Sequence, residues 1–228
     1  MEGRRYRKKC IILTDSNGRE ATDVSIKNHF PKEEREKYDI SVVAAYTTEE
    51  AYRRVGTKEI DVDDAAVVVD LLTNDVRGTR QRPAASPEEL VRRVHMLRER
   101  LQEAGASSVV VCQIKPMEVA DVTPYNTLME DYLRTQKGTG YGFGCRTQVR
   151  RSYLRSDGYH VQKQYESVID RTYACAILGW HVPSPTPFED FLPGFARRRY
   201  QTEYPSLMGG NEQGRGLAGE GLMNSYGY

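Results

Sequence analysis

Apolar residues in this chain gather into four short runs rich in β-branched side chains, at residues 10–13, 40–45, 65–72 and 109–114. Between the runs, apolar positions recur every three or four residues, the spacing of helices with one buried face. A continuous apolar run suits a strand covered on both faces. Strands separated by helices pair in parallel, because each helix returns the chain to the same edge. The pattern therefore predicts an α/β domain with a parallel sheet and helices on both sides.

Several helices can be delimited. Residues 47–55 (TTEEAYRRV) open on a capping threonine, Thr47 or Thr48, and run from early acids to late arginines, as the helix dipole favours. The clearest helix is 86–105. Ser86 and Glu89 fit a capping box, Pro87 takes the first helical position, Leu90, Val94, Leu97 and Leu101 share a face, and Gly105 stops it. Thr123 and Pro124 open another, with Tyr125, Leu128, Met129, Tyr132 and Leu133 as a core-facing stripe that needs no cofactor to explain it. A last helix is expected over 161–178, ended by Gly179, with Tyr165, Val168, Ile169, Thr172 and Ala176 on one face. Residues 138–144 (GTGYGFG) are glycine-rich but lack the strand-GxxxxGK[ST]-helix setting of a phosphate loop, and read as a connection or short irregular strand.

Composition sets the boundaries. With 228 residues the chain has room for one sizeable domain, which the pattern places at 10–180. Residues 1–9 form a basic arm containing Arg4, Arg5, Arg7, Lys8 and Lys9, and Arg197, Arg198 and Arg199 form a second basic cluster. Residues 181–228, with Pro183, Pro185, Pro187 and Pro193 and then many glycines, have too little apolar surface to offset the cost of ordering and read as a flexible tail. The net charge is +1, so the overall balance gives no reason to expect nucleic acid or an anionic membrane as the main partner. Cys10, Cys112, Cys145 and Cys175 show neither CxxC nor metal-ligand spacing and read as free thiols. Neither a secretory leader nor a membrane-length apolar span is visible, which points to a soluble intracellular, cytoplasmic protein.

The chemistry is concentrated in three stretches. The first apolar run stops on Asp15-Ser16-Asn17-Gly18, by itself an ordinary corner. The third runs through AAVVVDLLTNDVR and ends on Thr73-Asn74-Asp75, and SDGYHV places Asp157 three residues before His160. A serine nucleophile needs a base, a carboxylate that fixes the base's tautomer, and donors aimed at the developing oxyanion. Ser16, His160, Asp157 and Asn74 are of those types. A bond from Asp157 to His160 Nδ1 would leave Nε2 to face Ser16. The Asn74 amide and the Ser16 N–H, at the start of a helix, would serve as oxyanion donors. Asp15 and Asp75 read as turn braces, and Asp70 has no assigned role beyond marking the end of strand burial. His29, His95 and His181 lack matched partners and read as surface or packing residues.

These blocks resemble the SGNH (GDSL-type) hydrolases. The family's Gly-Asp-Ser is similar to Thr14-Asp15-Ser16, its Gly-x-Asn-Asp to Leu72-Thr73-Asn74-Asp75, and its Asp-x-x-His to Asp157-Gly158-Tyr159-His160, in the same order over residues 10–178. The resemblance implies a three-layer, flavodoxin-like fold of about five parallel strands with the site at their carboxyl ends. It also implies a serine esterase working through an acyl-enzyme, without metal or organic cofactor, on a small-molecule, lipid or acetyl ester. Three departures stand out: Thr14 and Leu72 replace glycines, and residues 42–55 contain no counterpart of the second-block glycine that lends an oxyanion N–H. Thr47 or Thr48 is the nearest positional candidate, and a misplaced donor would lower turnover roughly a hundred- to a thousandfold. The alternative is an SGNH-like module, of mobile-element descent for example, that binds RNA or another partner, the basic arm contacting phosphate.

Overall fold

The computed structural model describes residues 7–78, 82–136 and 143–180. All lie in the first of the two units into which the chain divides, Met1–Pro193. The expected tail, Arg4, Arg5, His181 and most of the glycine-rich 138–144 stretch fall outside the described residues. Strands β1 (Lys8–Thr14), β2 (Tyr38–Ala44), β3 (Ala66–Asp70) and β4 (Ser108–Val111) form an all-parallel sheet in the order β2-β1-β3-β4. The connections thus reverse direction between β1 and β3, and such a switch point is where open α/β sheets form their ligand crevice. There Thr14 lies opposite Ala44 on one side and Asp70 on the other.

Side chains alternate across the sheet and feed two cores. Ile11, Leu13, Val67 and Val69 meet α2 (Thr48–Gly56), α4 (Pro87–Glu103) and α5 (Thr123–Thr135) through Ala51, Val55, Leu90, Val94, Leu97, Leu101, Met129 and Leu133. Cys10, Ile12 and Val68 meet α1 (Asp23–Lys27) and α6 (Glu166–Leu178) through Ile26, Ile169 and Tyr173. A short α3 (Thr73–Arg77) follows β3. The predicted α/β class and three-layer arrangement are therefore present.

Among the described residues the sheet has four strands where about five were expected. The fifth position is marked by a single parallel bridge between Cys112 and Cys145, flanked by Gln113 N–H to Cys145 O and Gly144 N–H to Val111 O, both 3.0 Å. The ladder stops because the Gln113 side chain, rather than backbone, accepts from Thr147 N–H. Gly144 is required at this approach, since a Cβ there would stand 2.0 Å from Val110 Cγ1.

Other boundaries moved for local reasons. No helix starts at Ser16. The chain turns through residues 16–20, and α1 begins only at Asp23, closed by a reciprocal Thr22–Ser25 capping box. Helix α6 starts at Glu166 rather than 161 because Val161 is bridged antiparallel to Leu154 and a 3-10 turn, Lys163–Tyr165, intervenes. In α4, Ser86 caps Glu89 N–H, but the Glu89 carboxylate turns to Arg92 and Arg93 instead of closing the box. Strand β1 takes in Lys8 and Lys9 from the basic stretch. Lys9 pairs with Asp61 at 2.9 Å, Arg7 with Glu36 at 3.0 Å, and Lys8 lies over the Tyr38 ring. The four cysteines are free and buried. No helix among the described residues is long and apolar enough to cross a membrane.

Candidate active site

Strand β1 delivers Asp15 and Ser16 to the switch point, and the turn after it is held from beneath. Asp15 is fully buried. Its N–H donates to Asp70 O, and its Oδ1 accepts the Asn17 N–H at 2.8 Å, a side chain standing in for the missing first turn of helix. Gly18 is obligatory in this turn, because a Cβ there would lie 1.9 Å from the Tyr173 hydroxyl and 2.3 Å from Thr14 Oγ1. Thr14 in place of the family's glycine is thus accommodated by a hydrogen bond, its hydroxyl 2.7 Å from Tyr173 OH.

The second loop is shaped by Asp157 and Gly158. Asp157 Oδ1 accepts the N–H groups of Tyr159 (3.1 Å) and His160 (2.9 Å), which curls the chain back on itself. Gly158 has φ +76° and a Cβ there would lie 2.6 Å from Glu118 Cβ, so only glycine fits the bend. The second carboxylate oxygen, Oδ2, stands 2.8 Å from His160 Nδ1, and His160 Nε2 stands 2.8 Å from Ser16 Oγ. Partial burial pushes the Asp157 carboxyl up, but the His160 N–H, the His160 ring and the Tyr159 N–H outweigh it and hold the group below the usual aspartate value. Ser16 and His160 open onto a cleft of about 370 Å³ whose walls include Asn17, Arg19, Glu20, Arg155, Lys163 and Glu166.

Asn74 sits at the carboxyl edge of the neighbouring strand and is not part of that cleft wall. Its Nδ2 donates to Tyr46 O at 2.9 Å, which leaves its second hydrogen, and its Oδ1 accepts from Arg77. The Arg77 guanidinium in turn lies 4.0 Å from the centre of the Tyr159 ring, linking Asn74 to the loop of His160. The glycine-free second block resolves between its two threonines. Thr48 gives both N–H and hydroxyl to Asp75, whereas Thr47 N–H donates to nothing among the described residues. Asp75 also takes Arg93 at 2.9 Å, so it ties α3 to α2 and α4.

Asp70 departs from the expectation set by the sequence. Far from marking the end of burial, it is itself buried, with Lys115 Nζ 2.6 Å from each of its oxygens and Tyr173 OH 2.8 Å from Oδ2. Burial works against the Lys115 ammonium, but the Asp70 charge and that of Asp15 raise its pKa and keep it protonated. Lys115, Tyr173, Asn17 and Arg77 do not stand out in the sequence, since nothing in their local patterns separates them from core or surface residues. Among the discounted histidines, His95 packs on Tyr132, with Nδ1 3.1 Å from its hydroxyl. No three His, Cys, Asp or Glu side chains converge as metal ligands among the described residues.

A parallel α/β sheet thus presents a serine at its switch point, against a histidine backed by an aspartate. Comparison with solved structures narrows the fold further. The chain is similar to TesA, with a TM-score of 0.50 and 16% identity over 75% of this chain and 99% of that one. It is similar also to LAE5, an alpha/beta hydrolase enzyme from the metagenome of Lake Arreo, Spain, with a TM-score of 0.54 and 16% identity over 78% and 98%. No family model and no curated protein matches by sequence. The chain shares its fold with these two solved structures, a three-layer α/β arrangement of the kind the sequence pattern implied.

Proposed function

We propose that this chain is a serine ester hydrolase acting on a carboxylic ester, with Ser16 as nucleophile, His160 as general base and acid, and Asp157 orienting His160. One observation carries the reading: two consecutive 2.8 Å contacts, Ser16 Oγ to His160 Nε2 and His160 Nδ1 to Asp157 Oδ2. Ser16 Oγ attacks the acyl carbonyl while Nε2 takes its proton. The tetrahedral oxyanion is met by the Ser16 N–H, the Thr47 N–H and the spare hydrogen of Asn74 Nδ2. His160 then protonates the departing alkoxide, and the acyl group stays on Ser16. Water, deprotonated by the same nitrogen, attacks the acyl-enzyme and releases the acid with Ser16 restored. Small-molecule, lipid and acetyl esters all fit this scheme. Similarity in fold to solved hydrolases is consistent with the class and says nothing of the substrate.

The test is hydrolysis of p-nitrophenyl acetate together with labelling by a fluorophosphonate. Wild type should exceed background and carry the adduct on Ser16, and Ser16→Ala should do neither. Equal rates for the two would overturn the proposal. Nothing observed favours the nucleic-acid reading, because the described members of the basic stretch, Arg7, Lys8 and Lys9, are engaged within the fold.

A further inference from the structure

Asn17 and Val161 form a second rung between the two loops of the candidate site. Ser16 Oγ meets His160 Nε2 at 2.8 Å, and the next residue of each loop repeats the contact: Asn17 Oδ1 accepts the Val161 N–H at 2.9 Å. The two rungs join segments 144 residues apart in sequence. Asn17 is only 8% exposed, and its own N–H is fixed by Asp15, so neither its backbone nor its side chain is free to drift. The other pole of its amide, Nδ2, is buried without a partner among the described residues. Such an orphan donor costs about 1–3 kcal/mol, a penalty hard to account for if the residue served only as a turn former. Flipping the amide would not relieve it, because a donor would then face the Val161 donor.

We propose that Asn17 is a positioning residue: its Oδ1 fixes the His160 loop against the nucleophile's turn and so sets the Ser16–His160 separation. The assignment rests on the esterase reading above. Asparagine suits the place because it reaches Val161 with an acceptor while adding no charge beside buried Asp15. Loss of the rung leaves His160 tied to Asp157 and to the Arg155 N–H within its own segment, with the Ser16–His160 contact itself as the remaining bond to the Ser16 turn, so the loop shifts relative to Ser16.

The experiment compares wild type, Asn17→Ala and Asn17→Asp in the full chain, using p-nitrophenyl acetate kinetics and the rate of fluorophosphonate labelling of Ser16. Asn17→Ala should lower kcat roughly ten- to a hundredfold, the scale of a displaced catalytic group, with KM changed by less than about twofold. Labelling should slow in proportion, while circular dichroism shows a folded protein. Asn17→Asp keeps the acceptor but adds a charge beside buried Asp15, so it should recover only part of the loss. If the alanine variant does not fold, Asn17→Ser replaces it, since serine is too short to reach Val161. Wild-type kcat in the folded alanine or serine variant overturns the inference. A wild-type protein without hydrolysis or labelling overturns the esterase reading and this inference with it, whereas an active wild type matched by Asn17→Ala removes this inference alone.

Discussion

At the scale of single residues, the site depends on one carboxylate accepting more bonds than its exposure would suggest. Asp157 receives two backbone N–H groups and one ring nitrogen, and its two oxygens divide the work, Oδ1 shaping the loop and Oδ2 orienting His160. Replacement by asparagine should therefore lower kcat by roughly three to four orders of magnitude, because the ring loses the partner that fixes its tautomer; steady-state kinetics on a nitrophenyl ester measures it. The same lowered pKa has a consequence for stability. A carboxyl held below its unfolded value of about 3.9 stabilises the fold fully above that pH, and the contribution disappears as pH falls through the lower folded value. Chemical denaturation of wild type and Asp157→Asn should show a constant difference above about pH 5 that closes as the solution is acidified further.

Between elements, the Ser16 turn rests on a buried polar column made by β3, the segment after β4, and α6. Lys115, 4% exposed, neutralises Asp70, and Asp70, Tyr173 and Thr14 share hydrogen bonds beneath Gly18. Lys115→Met should destabilise the protein by about 3–5 kcal/mol, because it strands a buried carboxylate. The double variant Lys115→Met/Asp70→Asn should be less unstable than that single, a coupling that urea denaturation would reveal. Gly18→Ala forces a methyl group to 1.9 Å from the Tyr173 hydroxyl. It should cost about 1–3 kcal/mol as overpacking does, with part regained when Tyr173→Phe is added, as read from the shift in the urea midpoint.

For the whole molecule, two cores on opposite faces of one sheet account for the buried apolar residues of the described chain. The division expected from composition, a body followed by a tail from residue 181, leads to a direct measurement. A chain of residues 7–180, which preserves all of β1, should unfold within about 4 °C of the full chain, the shift that roughly 1 kcal/mol produces at this size. A larger loss would mean that the terminal residues contribute to the stability of the body.

Much of this architecture was legible in the amino-acid order, because strand and helix periods are written within single segments. The four apolar runs, the Ser86 cap, Gly105 and Gly179 as helix stops, and the Asp157–His160 spacing all depend on neighbours a few residues away. What the sequence left open depends on residues far apart in it. The Lys115–Asp70 pair spans 45 positions and the Asn17–Val161 rung spans 144. The choice between Thr47 and Thr48 depends on where α3 brings Asp75. The fifth strand failed to extend because a glutamine side chain took the hydrogen bond a backbone partner would have made. Local propensity fixes which segments become strands and helices; burial and the completion of hydrogen bonds, which exist only once the sheet is assembled, decide which side chains complete the site.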